Sequence, residues 1–308
     1  MLVPALFAAL LLRCHGFAAV GQGGTTVNTN VDNQLINAWS DGDVVFQESG
    51  AQDWRKTISF NVPDDTQVLA LLVLNSGGPA AFLLETSTGI LSGKRWECTA
   101  FPQDQTPSAS WLKGMDAADP AVMHEFNGGG AWGRGNGGPI DGISLKARWI
   151  WGNEQDDRVA CRTRLNIVVK AYVDDDLLAA YTDGQEVNTG SNSDWKVLDE
   201  FTIRGDTDVL ALNMVDKGWA AGFLLELSNG ILSGAQFECV EVTGKEANFA
   251  TNYIDFLMGK GSFDNPAILG TNGVAPWGHR SGVSKEAEWI WLNSNGSPDR
   301  VACRVSLG

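Results

Sequence analysis

Short apolar runs separated by turn-forming residues recur along the whole chain. Runs such as VLALLVL (68–74), RWIW (148–151), LNIVVKAYV (165–173) and EWIW (288–291) are bounded by clusters of Gly, Asn and Asp. This pattern predicts many short β-strands. Asp41-Gly42 and Asp183-Gly184 predict tight hairpin turns, because both central residues of such a turn need a positive φ. The two FLLE segments fit either buried strands or short helical turns, so the chain is predicted to be all-β.

The predicted strand pattern occurs twice. When Phe60–Cys98 is aligned with Phe201–Cys239, more than half of the positions are identical, and shared D-W, W-I-W and V-A-C-R segments extend the match. Each copy is as long as a complete domain and too long for a solenoid or propeller unit. The sequence therefore predicts two tandem domains, at residues 26–165 and 166–308, each a jelly-roll or β-sandwich.

The start of the chain resembles a targeting segment. Residues 2–12, LVPALFAALLL, are apolar and are followed by small residues around Ala18 and Ala19. This arrangement predicts a secretory signal peptide over residues 1–18, with a buried first helix as the alternative. The run is too short to span a bilayer. We therefore expect a secreted, extracellular protein.

Export gives the cysteines a structural role. Cys14 falls in the predicted signal peptide, which leaves an even number of cysteines for an oxidising compartment. Only one pairing treats the two copies alike, namely Cys98 with Cys161 and Cys239 with Cys303. Four free buried thiols are the alternative. No C-x-x-C pair or Cys/His cluster is present, so no zinc site is predicted.

The charge balance limits the choice of partners. The chain has 37 acidic and 22 basic residues, a net charge of −15. Nucleic acid and anionic membranes are excluded as expected partners, because binding phosphates needs clustered Lys and Arg. An acidic surface can attract calcium or a mineral surface collectively. Asp174-Asp175-Asp176 suggests a specific calcium site or, as the simpler alternative, a solvated turn. We predict no metal site.

Catalytic motifs are lacking in the sequence. Beyond the predicted signal peptide, His124 and His279 are the only histidines, and no G-x-S-x-G, H-E-x-x-H or nucleotide fingerprint occurs. Carboxylate pairs such as Asp156-Asp157 or Glu286 with Glu288 could be imagined as a glycosidase pair, but acidic residues are abundant and solvated turns explain them more simply. We expect no enzymatic activity and no cofactor.

A set of motifs in a fixed order suggests a family. A D-D hairpin, an aromatic-x-D-G turn, D-W, a VLAL strand, W/F-E-C, an A-W-G or P-W-G loop, W-I-W and V-x-C-R follow one another in the second copy, and the first copy has the same order with Asp32-Asn33 in the place of D-D. This order resembles galactose-binding-like jelly-roll modules, which occur as accessory domains of glycosidases and as repeats in secreted invertebrate proteins. The resemblance implies a β-sandwich that often binds sugar through loops at one end, while some members are extracellular scaffolds.

Tryptophans in loops are the candidate ligand-binding residues. Trp132 and Trp277 lie in loops flanked by Gly or Pro and are followed, after one glycine, by Arg134 and His279. An aromatic ring beside a hydrogen-bond donor suits a saccharide, since such rings stack on the apolar faces of sugars. Trp219, at the position of Gly78 in the first copy, is a further candidate. The alternative is that each loop tryptophan plugs the end of its sandwich.

Other conspicuous residues have simpler interpretations. Spacing along a strand places Trp149 with Trp151, and Trp289 with Trp291, on one face, which indicates core packing. Asn295 begins the sole glycosylation sequon.

The preferred functional hypothesis is a secreted, non-catalytic, lectin-like protein whose partners are glycans or extracellular matrix components. An acidic structural component of an extracellular or biomineral matrix, such as a shell or skeleton, is the alternative.

Overall fold

The computed structural model describes residues 24–48, 50–133, 138–190, 194–218, 220–242, 251–295 and 298–308. The predicted signal peptide, Arg134 and Trp219 lie outside these residues.

Eleven strands form in residues 25–164. They are β1 (Thr25–Asp32), β2 (Gln34–Ser40), β3 (Asp43–Gln47), β4 (Ile58–Val62), β5 (Val68–Leu74), β6 (Ala81–Thr86), β7 (Glu97–Ala100), β8 (Asp119–Pro120), β9 (Val122–Phe126), β10 (Arg148–Trp151) and β11 (Arg158–Arg164). A one-turn helix, α1 (Ala109–Leu112), lies between β7 and β8.

Ten strands form in residues 166–306. They are β12 (Asn166–Val173), β13 (Asp176–Thr182), β14 (Gln185–Val187), β15 (Asp199–Arg204), β16 (Val209–Val215), β17 (Phe223–Leu227), β18 (Glu238–Glu241), β19 (Ala267–Thr271), β20 (Glu288–Trp291) and β21 (Arg300–Ser306). A short helix, α2 (Thr251–Leu257), follows β18.

The sheets have the same strand order in both copies, apart from one edge strand. The first copy pairs β4-β1-β6-β10-β9 in one sheet and β3-β2-β5-β11-β7-β8 in the other. The second copy repeats these orders as β15-β12-β17-β20-β19 and β14-β13-β16-β21-β18, with no described strand in the place of β8. The pairings are antiparallel, and no described strand of one copy pairs with a strand of the other. The all-β prediction is confirmed, with two sheets in each copy.

The fully apolar strand β5 shows how each sandwich is built. Leu69, Leu71 and Val73 contact the core between the two sheets. Ala70 and Leu72 point the other way, into a cluster with α1 and Trp39. Both faces of β5 are therefore covered, which explains an unbroken apolar run where a half-exposed strand would alternate. In the second copy β16 behaves alike, with α2 covering its outer face.

The predicted disulfides are present. Cys98 of β7 lies directly opposite Cys161 of β11, and Cys239 of β18 opposite Cys303 of β21. The Cα atoms of each pair are 4.1 Å apart. Two disulfides in equivalent positions point to folding in an oxidising environment.

The Asp-Gly hairpins and the FLLE segments follow the sequence closely. Asp41 and Asp183 have φ values of 50° and 51°, and the following glycines have 96° and 82°. The Asp183-Gly184 turn joins β13 to β14 as predicted. The FLLE segments form the buried strands β6 and β17, which decides between strand and helical turn.

One expectation about the W-I-W strands is wrong. Trp149 packs against a cluster on the outer face of β6, whereas Trp151 contacts the core between the sheets. Trp289 and Trp291 separate in the same way. The pairing of β10 with β9 shifts register between Arg148 and Ile150, so the regular alternation of faces is not kept here. All four rings are nevertheless fully buried.

Candidate functional site

The loop that contains Trp132 is held by a buried amide. Asn127, at the end of β9, donates through Nδ2 to the carbonyls of Ile140 and Ile143 and accepts from the backbone N–H of Ile140. Asn272 does the same in the second copy, where its Nδ2 donates to the carbonyl of Arg280 and its Oδ1 accepts from the backbone N–H of Arg280. Each asparagine closes a loop whose backbone groups lack strand partners, and so fixes the tryptophan within it.

Trp132 and Trp277 occupy equivalent buried positions. Trp132 is 5% exposed and stacks on Trp149 with ring centroids 4.7 Å apart. Trp277 is 7% exposed and stacks on Trp289 at 4.6 Å. Burial of both rings fits the alternative that each loop tryptophan plugs the end of its sandwich, because in each ring one face is taken by another tryptophan. Trp132 nevertheless lines a cavity.

A carboxylate accepts a hydrogen bond from each of these indoles, and it is buried in Asp32 and half-buried in Asp174. Trp132 Nε1 donates to Asp32 Oδ2 over 3.0 Å, and Trp277 Nε1 donates to Asp174 Oδ2 over 2.6 Å. Burial raises the pKa of Asp32, and the indole hydrogen bond opposes that rise. Burial likewise raises the pKa of Asp174, to about 6, with Asp216 and Asp175 adding to the rise. The two carboxylates thus have the same partner but different neighbours.

Asp174 and two neighbouring aspartates form a carboxylate cluster, which among the described residues occurs in the second copy and not in the first. One oxygen from each of Asp174, Asp175 and Asp216 lies within 4.8 Å of the others. The corresponding residues of the first copy are Asp32, Asn33 and Asn75. Backbone N–H groups satisfy part of the cluster, since Asp175 accepts from Lys217 and Asp216 from Gly218. Oxygen ligands of this kind suit a hard divalent cation, which the cluster has the chemistry to hold.

A polar cavity opens beside Trp132 in the first copy. It has a volume of about 740 Å³ and lies at the edge strand β9, between the loop that follows β5 and the loop that contains Trp132. Trp132 and Met123 give it an apolar part. Its charged or titratable lining residues are His124, Glu125, Arg148 and Glu154.

Arg148 is the positioned cation of this cavity. Its guanidinium lies 4.1 Å from the ring centroid of Phe126 and donates to the carbonyl of His124 over 3.4 Å. No described carboxylate lies within ion-pair distance of it. The Nε2 atom of His124 is buried and has no hydrogen-bond partner in the described chain. The cavity wall therefore holds hydrogen-bonding capacity that the protein itself does not use.

The second copy has different residues at these places. The register of β19 on β20 places Leu269 and Gly270 where β9 has His124 and Glu125. Glu288 begins β20 where Arg148 begins β10. The polar set beside Trp132 is thus specific to the first copy, although the tryptophan itself is shared.

The remaining predicted site residues are scattered. His279 and Asn295 are exposed at the surface of the second copy. Arg134, Trp219, and the last two residues of the Asn295 sequon lie outside the described residues. Sequence reasoning missed Glu125 and Arg148 altogether, and it noted His124 without giving it a role. Alignment of the two copies could have pointed to them, because Glu125 aligns with the uncharged Gly270 and Arg148 aligns with the oppositely charged Glu288.

Comparisons with family models, with curated proteins and with solved structures find no match to this chain. Within the described part of the chain, no helix has the length and apolar character needed to cross a membrane. Assignment of function therefore depends on the residues and geometry given above.

Proposed function

We propose that this protein is a secreted, non-catalytic glycan-binding protein made of two galactose-binding-like jelly-roll copies. In this proposal the signal peptide spans residues 1–18, and the ligand binds in the cavity beside Trp132. The observation that supports it most is the composition of that cavity. A guanidinium, two carboxylates, an imidazole and an indole line a cavity of about 740 Å³ at the edge of the sheet.

The chemistry of the cavity suits a sugar better than an apolar ligand. A saccharide presents hydroxyls, which donate to Glu125 and Glu154 and accept from Arg148. Its apolar C–H faces pack against the indole and Met123. Pockets for drug-like apolar molecules are lined mainly by hydrophobic side chains, and this one is not.

A glycan array followed by calorimetric titration tests the proposal. We expect at least one glycan to bind, and Arg148→Gln to weaken that binding about tenfold, because a charge-assisted hydrogen bond is lost. Lys146→Gln is the matched control, since Lys146 is a nearby exposed cation outside the cavity lining. Absence of binding to every glycan on the array contradicts the proposal, and hydrolysis of a bound glycoside contradicts its non-catalytic part.

The second candidate is an acidic component of an extracellular or mineral matrix. The net charge of −15 and the crowded carboxylates near Asp174 favour it. It predicts weak, collective attraction for calcium rather than sugar binding. Retention of the protein on calcium carbonate, together with a blank glycan array, would support this alternative.

A further inference from the structure

A polar groove lies where the two copies meet. Two adjoining cavities, of about 480 and 560 Å³, share Gly114, Arg164 and Asn229 as lining residues. Arg164 is the last residue of β11, and Asn166 begins β12. The chain therefore passes from one copy to the other beside this groove, and both copies contribute to its walls.

Direct contacts between the copies hold the groove in shape. The backbone N–H of Gly205 donates to the carbonyl of Leu165 over 2.8 Å. Asn166 Nδ2 reaches back to the carbonyls of Asp64 and Thr66, at 2.9 and 2.8 Å. Arg95 pairs with Asp208 across the junction. A groove supported in this way is preorganised for a ligand, which limits the entropy lost on binding.

Most charged groups in the walls are already matched. Arg162 pairs with Glu97 at 2.9 Å. The Asp41 carboxylate accepts from the backbone N–H groups of Gln67 and Val68. Asp116 accepts from the hydroxyls of two serines, Ser108 and Ser110.

Three cations in the same walls have no such match. Lys94, Lys113 and Arg164 form no ion pair with any described carboxylate. Arg164 is half-buried, and that burial lowers its pKa. Its guanidinium donates to the Gly114 carbonyl over 3.3 Å, which occupies one of its five N–H groups. Glu97 and Asp41 act on this guanidinium electrostatically without forming an ion pair with it. A partly dehydrated guanidinium with N–H groups to spare favours an anion beside it.

Sequence comparison of the copies shows that three basic residues of these walls, the ion-paired Arg95 among them, are specific to the first copy. Lys94, Arg95 and Arg164 stand where the second copy has Ala235, Gln236 and Ser306. The chain has a net charge of −15. The groove, in contrast, has three more cations than the equivalent positions of the second copy, so its local charge is opposite in sign to that of the whole chain.

We propose that the junction groove binds the carboxylate or sulfate group of a short saccharide. The anionic group lies against Arg164 and Lys94, while Gln67, Ser228 and Asn229 offer uncharged partners for hydroxyls. A long polyanion is disfavoured because the acidic surface beyond the groove repels it. The choice of a saccharide depends on the proposed glycan-binding function, whereas the anion site does not.

Calorimetric titration with four probes tests the proposal. The probes are a galacturonic acid disaccharide, the neutral galactose disaccharide, sodium sulfate and an Asp-Glu dipeptide. We expect the wild type to bind the acidic disaccharide more tightly than the neutral one. Arg164→Gln should weaken the acidic ligand about tenfold, and Lys94→Gln should weaken it about threefold, with the neutral ligand unchanged. Lys146→Gln, an exposed cation away from the groove, should change neither.

Sulfate separates the two proposals and checks that the variants fold. Against a sodium chloride control of equal ionic strength, sulfate should raise the melting temperature of the wild type more than that of Arg164→Gln. If no saccharide binds but this difference is present, the anion site stands and the glycan proposal fails. An acidic preference that survives both Arg164→Gln and Lys94→Gln overturns the groove as the site. Equal binding of an Asp-Glu dipeptide overturns the saccharide class, and no binding of any probe overturns the whole inference.

Discussion

The two copies share their disulfide position and the order of their strands, except for the short edge strand β8 of the first copy, yet they differ in the charged residues that these sheets carry. Both have the tryptophan pair, a carboxylate that accepts a hydrogen bond from the indole and the loop-closing asparagine. Among the described residues, a charged cavity lies beside Trp132 of the first copy, and a carboxylate cluster lies in the second copy.

This contrast separates what the fold needs from what a site needs. Residues that pack the core or close a loop are kept in both copies, because replacing either leaves a void or an unpaired polar group. The charged residues that line the cavity or the groove can differ, since their side chains belong to none of the hydrophobic core clusters. Each copy can thus be compared with the other, and positions where the residue type differs although the fold is the same indicate the candidate sites.

The largest effect is expected at the shared tryptophans. Trp132→Ala and Trp277→Ala should each lower the free energy of unfolding by about 3–5 kcal/mol, because each removes a stacked, buried ring. Trp132→Phe keeps a ring and loses only the hydrogen bond to Asp32, so it should cost less. Denaturant unfolding followed by fluorescence measures all three. A loss below about 1 kcal/mol for either alanine variant would show that the ring is not a structural anchor.

The disulfides should contribute equally in the two copies. Their sequence separations are 63 and 64 residues, so each closes a loop of nearly the same length. Replacing either pair by alanine should cost about 2–5 kcal/mol. Thermal melts of the Cys98/Cys161 and Cys239/Cys303 double variants make the comparison. A much larger loss of stability for one pair would mean that the two copies are stabilised differently, despite their similar strand orders.

The sequence was sufficient for features that depend on local chemistry or on the repeat itself. The Asp-Gly turns need positive φ, and one cysteine pairing alone treats the copies alike, so both were predictable. Burial of Trp132 was not, because its partner Asp32 is distant in the chain and a glycine-flanked loop suggests exposure. Glu125 and Arg148 meet only through the pairing of β9 with β10, which periodicity does not give.

A smaller effect is expected from removing charge in the second copy. Asp175→Asn together with Asp216→Asn gives this site the amides of the first copy, and it relieves repulsion around Asp174. We expect a gain of about 1 kcal/mol at pH 7 in the presence of a chelator, seen as a melting temperature raised by about 2–4 °C. Asn75→Asp is the reciprocal control and should destabilise the first copy. A double variant less stable than the wild type would indicate that the carboxylates are needed structurally.

The smallest and most specific effect is the pH dependence contributed by Asp174. Its pKa in the folded protein is about 6, against an ordinary value of 3.8, because burial and the carboxylates of Asp216 and Asp175 disfavour its charge. Between these values the folded state binds more protons than the unfolded state, so stability decreases as pH rises from about 4 to about 6. Asp32 lacks the acidic neighbours and should contribute less to this decrease.

Melting temperatures between pH 4 and 7, measured with a chelator, test this difference between the copies. Asp174→Asn keeps an acceptor for Trp277 and cannot ionise, so its stability should decrease less over this range than that of the wild type. Asp32→Asn is the matched control, since Asp32 accepts the equivalent bond from Trp132. Because other carboxylates titrate in all three proteins, the informative quantity is the difference between slopes. If the melting temperatures of Asp174→Asn and of the wild type change with pH at the same rate, the pKa of Asp174 is not raised in the folded protein. The proposed electrostatic difference between the two copies would then be wrong.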